Sequence, residues 1–344
     1  MISKLIFIIF SIILTLLFFY NKKRGNVKLS KIFLVLLLLF LSIVFTFRDN
    51  IFPNDIGTDY YEYKNWFELR NFGNLQFEFK NFGFNFLISV LKLFTNNYYV
   101  FLFICGLLIN YLIISFIIEN TDDVLFSATV YYCLMYFLIF NVLRQWIACA
   151  IFLYAFKFIK NHSPVKYTFS ILIASTFHDT AIIMLALYPL LLFKNMSFYK
   201  EEMFSLLIAI FAFFKVDYVV KIMNSICLLL GLDYFQKYSS EYLLSQSGNS
   251  TFLIISIIIL ILLNFKLYDN ENNSTYKNIL IRYFLYLLPF SALSMKNGIF
   301  TRYLIYFELA IVPAIDFSFS LFERKSRVAL KTITLFLIIL NFIF

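Results

Sequence analysis

Three arginines, one histidine and two aspartates carry the chemistry open to this chain. Arg48, Arg144 and Arg302 each stand where an apolar run of membrane-crossing length ends or begins. An arginine at mid-bilayer costs roughly 2.5–3.5 kcal/mol on insertion scales, and far less at a surface or in a wet cavity. A single arginine at such a boundary need do no more than anchor a helix end. Several at one depth suit a polyanion, because a planar guanidinium fork pairs with phosphate oxygens and cannot be titrated away. His178 interrupts an apolar run, and an imidazole can move a proton near neutral pH. It could equally be a satisfied histidine at a helix break. Asp55 and Asp59, in Asp55-Ile56-Gly57-Thr58-Asp59, can orient that histidine or bind sugar hydroxyls. Two carboxylates without further ligands are a weak basis for a metal site, and none is expected. Tyr60, Tyr63 and Tyr303, with Tyr61, Trp66 and Tyr306, could stack on sugars. Tyrosine and tryptophan also gather at membrane interfaces for no catalytic reason. Glu308, about two turns from Arg302, could face the same cavity or pair with Arg282. His162, beside Ser163-Pro164, reads as a turn residue.

The elements that position these residues follow from composition. Of 344 residues, 62% are hydrophobic and 14% charged, where soluble domains carry about 25% charged residues. Apolar runs of 15 to 20 residues recur from end to end. They are continuous rather than alternating, which excludes a membrane barrel and leaves an all-α, polytopic integral membrane protein. The net charge of +9 sits mostly in short loops, where it sets topology rather than binding nucleic acid. Cys105, Cys133, Cys149 and Cys227 lack metal-like spacing and read as small apolar residues, with neither disulfide nor metal. Residues 5–19 are preceded only by Lys4 and followed by no small-x-small site. They are expected to be a retained first span rather than a cleaved signal.

Charge asymmetry orients the spans. Lys22, Lys23, Arg24, Lys28 and Lys31 mark an inner loop after a first span at about 2–20. Span 2 covers about 32–47. Residues 48–97 form a first outer loop, in which 84–94 is a short interfacial or re-entrant helix. Spans 3, 4 and 5 follow at about 98–118, 124–140 and 145–159. Lys157, Lys160, His162 and Lys166 mark the next inner loop. Residues 167–193 could be one tilted helix or two short ones broken near His178. Breaking them keeps 194–202, 266–278 and 323–331 inside, which charge counting favours. Span 8 lies at about 203–219, with a second outer loop at 220–250. Spans 9 to 12 lie at about 251–265, 279–294, 303–322 and 328–344. The reading is a single transmembrane domain over 1–344 with about twelve crossings, and it sets Arg48, Asp55, Asp59, Arg144, His178, Asp179, Lys296 and Arg302 at the outer face.

Those residues carry a resemblance. Arg48 with Gly57-Thr58-Asp59-Tyr60 and Tyr63 resembles the Arg…Gly-x-Asp…Tyr pattern of the EpsG family. So do Leu143-Arg144-Gln145 with Ala148 and Ala150, Phe177-His178-x-Thr180-Ala181, and Arg302-Tyr303 with Tyr306-Phe307. The patches appear in family order over about residues 48–307. EpsG-like proteins are grouped with the Wzy polysaccharide polymerases. Asp179 after the histidine and the acidic inner turn Glu119–Asp123 depart from the pattern. The resemblance implies a glycosyltransferase with a GT-C-like helical bundle in the cytoplasmic membrane. It would join polyprenyl-pyrophosphate-linked repeat units into O-antigen, capsule or exopolysaccharide at the outer face. Pyrophosphate would leave. His178, with Asp59 second, would act as base, and Arg144 and Arg302 would stabilise the leaving charge. Arg48, Gln145, Tyr60, Tyr63 and Tyr303 would contact pyrophosphate or sugar. No cofactor is implied. Membrane lipids surround the chain, and a chain-length regulator is a plausible partner. A lipid-linked oligosaccharide flippase and an O-antigen-type ligase are the competing readings; few ionisable groups inside the spans and no internal repeat speak against transport.

Overall fold

The computed structural model describes residues 2–70, 81–192, 198–229, 250–267 and 275–343. Every regular element among them is helical. The chain forms two compact units, one from Met1–Tyr188 with Phe322–Phe344 and one from Pro189–Leu321.

The first unit is a set of up-and-down helices. α1 (Ile2–Lys23) and α2 (Val27–Thr46) form a hairpin. Asn26 caps α2 by accepting from Leu29 N at 3.2 Å, and Lys22 and Lys23 end α1 where its dipole favours cations. α3 (Arg48–Ile51), α4 (Tyr60–Leu69) and α5 (Phe82–Lys92) are short and follow in the expected outer loop. α6 (Tyr98–Asn120) packs along α2, and α7 (Val124–Leu134), capped by Asp123, continues as a 3-10 turn over Tyr136–Phe140. α8 (Leu143–Lys160) and α9 (Pro164–Phe177) form a second hairpin, with proline in the first turn of α9, where its missing N–H is harmless. The last helix, α18 (Arg324–Ile343), returns to this unit. It packs on α1 and α7 through Phe342, 6.3 Å from the Phe7 ring and 5.2 Å from that of Phe137, and through Lys331 on Asp123 at 2.9 Å.

Between apolar helices in lipid, close packing and hydrogen bonds hold the bundle rather than water exclusion. α8 accordingly buries Ala148, Cys149, Ala150 and Ala155, small residues that let neighbours approach. Buried tyrosines tie helices together: Tyr136 donates to Leu41 O at 2.5 Å, and Tyr132 meets Thr15 at 2.8 Å. The outward faces of α1 and α18 carry Ile6, Ile9, Phe10, Phe336 and Leu337, which suits lipid contact.

His178 ends α9 in an extended conformation, and a 3-10 segment over Asp179–Ala186 leads into α10 (Leu187–Leu192). The expected break in residues 167–193 falls at that histidine.

The second unit contains α11 (Phe198–Phe214), α12 (Val216–Leu229), α13 (Thr251–Leu267), α14 (Thr275–Leu285), α15 (Leu287–Lys296), α16 (Thr301–Glu308) and α17 (Ile311–Ser320). In the span expected at 203–219, the chain turns by 97° at Lys215 between α11 and α12. Likewise the span at 303–322 bends by 50° between α16 and α17. Arg282 pairs with Glu201 at 2.7 Å, not with Glu308, and Glu202 accepts a hydrogen bond from Asn264. Of the second outer loop, α12 covers residues to Leu229 and 230–249 lie outside the described residues, as do 71–80 of the first loop and 193–197 and 268–274 of the inner loops.

Among the described residues, five helices are long and apolar enough to cross a membrane, or up to seven if each bent pair is one span. Shorter apolar helices at Phe82–Lys92, Val124–Leu134, Asp179–Leu192 and Thr251–Asn264 fall short of a hydrocarbon core of about 30 Å when upright.

Candidate functional site

Within the first unit, connectivity and contacts bring most of the chemistry to one end. α2 delivers Arg48 there. α6 starts there, since Tyr99 donates to Asp49 Oδ2 at 2.9 Å. α7 returns there through Phe140, whose ring lies 5.4 Å from the Arg48 guanidinium. α8 leaves from there with Arg144 in its first turn. Lys4, at the start of α1, pairs with Asp55 at 3.4 Å. The basic clusters Lys22–Lys31, Lys157–Lys166 and Arg324–Lys331 fall at the other ends of these helices.

Arg48 is wholly buried. Nε donates to Ile56 O at 2.9 Å and Nη1 to Phe45 O at 2.6 Å, while the guanidinium stacks on Phe45 and Tyr60 at 4.5 and 4.8 Å. Burial pulls its pKa below the usual arginine value. Only Nη2 has no acceptor among the described residues. Expected as a substrate contact, Arg48 gives two of its donors to backbone carbonyls, one in the 52–59 loop and one in α2. Tyr60 is similarly built into the wall, its hydroxyl donating to Asp49 Oδ2 at 3.0 Å. Asp49 went unnoticed in the sequence, yet two tyrosines converge on it; its adjacency to Arg48 was the available signal.

That loop lies on the segment leading to Arg144. Thr58 N donates to Asn141 Oδ1 at 2.8 Å, and Thr58 Oγ1 donates to Asp59 Oδ1 at 2.9 Å. Gly57, at φ +91°, touches the chain so closely that a Cβ would fall 2.3 Å from Phe140 O. Asp59 is thereby set at the start of α4, partly exposed.

Arg144 is held from three sides. Its Nη1 donates to Asn81 Oδ1, its guanidinium stacks on Trp66 at 4.5 Å, and the Tyr63 hydroxyl lies beside it. Burial pushes the Tyr63 phenol up, Arg144 draws it down, and Asp59 adds to the rise, so the three groups share one neighbourhood. Arg144 Nε has no acceptor among the described residues. Val142, two residues earlier, adopts φ +42°, costly for a β-branched side chain. Asn81 also has a left-handed conformation at φ 63°. Gln145, next to Arg144, is fully buried.

His178 belongs to the same end. α5 begins at Phe82, just after Asn81, and Gly83 packs so tightly on α9 that a Cβ would fall 2.3 Å from Thr176 Oγ1 and 2.9 Å from the Phe177 ring. One short helix therefore touches Arg144 through Asn81 and the turn bearing His178 through Gly83. His178 is buried, with Nδ1 2.7 Å from Thr180 Oγ1. Nδ1 also accepts from the Thr180 backbone N–H at 3.4 Å, and a neutral ring held that way carries its proton on Nε2.

Arg302 and Tyr303 lie in the second unit, in the first turn of α16. Arg302 is partly buried; Tyr303 is buried, its ring 6.3 Å from Phe290 and from Phe300. Asn81, Asn141, Trp66 and Thr180 were missed as supports because their contacts are made across dozens of residues or by a turn geometry that spacing does not reveal. Among the described residues, no group of three or more His, Cys, Asp or Glu side chains could hold a metal ion.

No curated protein matches this chain, and no solved structure does. A family model described as the EpsG family matches residues 31–344, which contain all four patches noted in the sequence. The chain belongs to the EpsG family, a family of Wzy-type polysaccharide polymerase-like membrane proteins.

Proposed function

We propose that this protein is a membrane glycosyltransferase that polymerises polyprenyl-pyrophosphate-linked oligosaccharide repeat units into a surface polysaccharide. The end of the first unit that carries Arg144 faces outward from the cytoplasmic membrane. The basic clusters at the opposite helix ends support that orientation, since they belong inside. On this reading the short and broken apolar helices join the longer ones in about twelve crossings.

The observation that carries the proposal is the setting of Arg144. A guanidinium fixed by an amide, an indole and a phenol, with Nε still unpaired, is a preorganised anion contact. In the reaction, an acceptor hydroxyl oxygen bonds to the anomeric carbon of the growing chain. The bond from that carbon to the pyrophosphate oxygen breaks, and its electron pair leaves with the pyrophosphate. Arg144 neutralises the charge that develops there. His178, set in place by Thr180 at Nδ1, is the proposed base for the hydroxyl proton, with Asp59 as the second candidate. Arg48 and Tyr60 act by fixing the loop that presents Asp59. Gln145, Tyr63 and Tyr303 remain proposed substrate contacts. Arg302, which the family resemblance offers as a phosphate contact, is tested on its own.

The experiment is polymer length in a strain lacking the native gene and supplied with variants. Arg144→Ala and Arg302→Ala are each expected to abolish long polymer while single lipid-linked units accumulate on the outer face. Arg144→Lys should also fail, because a point charge does not replace the fork. Normal chain lengths with Arg144→Ala at normal protein level would overturn the reading. Accumulation of units on the inner face would indicate a flippase instead.

A further inference from the structure

We infer that the second unit holds a groove for one acyl chain of a zwitterionic phospholipid, with α11 as one wall and α14 and α15 as the other. The inference is independent of the polymerase reading.

Two helix stripes line a cavity of about 170 Å³. Glu201, Phe204, Ser205 and Ile208 recur at helical spacing and so share one face of α11. Arg282, Leu285, Tyr286 and Pro289 repeat that spacing on the other wall, where α14 runs on into α15 through Tyr286. Each stripe rises about 10 Å from its first residue to its last. The groove is graded along that length. At one end Arg282 closes on Glu201, with Nη2 2.7 Å from Oε1 and Nε donating to Oε2 at 2.8 Å. Arg282 Nη1 also donates to Leu191 O at 3.3 Å. Beyond the ion pair the walls are mainly apolar, and Ser205 spends its hydroxyl hydrogen on Leu285 O at 2.6 Å.

What fills the groove follows from what it opens to. Phe204, Ile208 and Leu190 line it, yet they are 58%, 38% and 47% exposed. Ile279–Lys296, which supplies the second wall, is long and apolar enough to cross a membrane, and α11 passes the same test together with α12. The open side therefore meets hydrocarbon rather than water. An apolar cavity of about 150 Å³ stays dry and takes an apolar molecule; in a bilayer that molecule is an acyl chain. Lipid tails are as apolar as the groove, so retention comes from close packing and from the head end. Basic pockets between membrane helices select anionic lipids. Here the guanidinium is already matched by a carboxylate, so the head end carries no net charge and complements the phosphate and ammonium of a zwitterionic headgroup.

The test is photolabelling of the full chain in nanodiscs by phosphatidylethanolamine with a diazirine on its acyl chain, the labelled peptides being mapped by mass spectrometry. Label is expected to concentrate on 204–208 and 285–289, above the level on the lipid-facing residues of α1. Ile208→Trp, which fills the groove, should remove that label and leave the α1 label unchanged. Should Ile208→Trp not fold, Leu190→Trp reads the same loss from α10. Phosphatidylglycerol with the same diazirine should label the groove less. Label no denser than on α1, or unchanged in a folded tryptophan variant, overturns the groove. Equal or stronger labelling by phosphatidylglycerol overturns the headgroup match. Loss of the label on adding farnesyl diphosphate overturns the assignment to a phospholipid and gives the groove to a polyprenyl tail.

Discussion

Arg144 donates a hydrogen bond to Asn81, a residue 63 positions earlier whose backbone is left-handed. The contact ties the first turn of α8 to the residue that precedes the short helix α5. Asn81→Gly keeps the left-handed backbone available and deletes only the acceptor. Polymer synthesis is expected to fall about tenfold with the protein folded. Asn81→Asp should do more harm to substrate affinity than to folding, since a carboxylate there competes with phosphate for the fork. Binding of farnesyl diphosphate and the thermal midpoint, measured on both variants, separate the two effects.

Gly57→Ala should be damaging at a distance from any reacting atom. The new Cβ meets Phe140 O, and φ +91° is strained for alanine. A cost of about 1–3 kcal/mol is expected for such strain. It should appear as a lower thermal midpoint together with loss of long polymer, because the loop no longer seats Thr58 on Asn141. A variant with wild-type stability and chain length would mean the loop tolerates another path.

His178→Gln should separate binding from proton transfer. The amide can keep a contact to Thr180 but cannot act as base. The chemical step is expected to slow by roughly 10²–10⁴, while farnesyl diphosphate still binds. Thr180→Val should lower turnover with little change in substrate affinity, since it frees the ring without removing it. Equal losses in affinity and turnover would point to a structural histidine.

Orientation can be read with single cysteines and a membrane-impermeant maleimide in intact cells. Tyr61, 62% exposed on α4, is expected to label after replacement by cysteine. Val165, 80% exposed in the first turn of α9, should label only after the cells are opened. The reverse pattern would turn the site inward and rule out an outer-face polymerase.

Much of this was legible in the sequence because charge is scarce in it. With so few ionisable side chains, a basic cluster or a lone histidine stands out, and the break at His178 followed from counting charge on either side of it. What stayed hidden was how each polar group is paid out inside the bundle. Arg48 has the same type and spacing as a phosphate ligand, but its donors go to Phe45 O and Ile56 O. Arg282 took Glu201 rather than Glu308, because the partner came from the start of another helix. Hydropathy also marks where a helix is apolar, not where it bends, so the turn at Lys215 left no trace in the 203–219 run.

The site-bearing unit is discontinuous in the chain. Its closing helix α18 follows the second unit in the chain, so it docks against Phe7, Phe137 and Asp123 only after the second unit has been made. Until then the flank of α1 and α7 stays open to the bilayer. The first unit thus waits in the membrane, incomplete, for its closing stave.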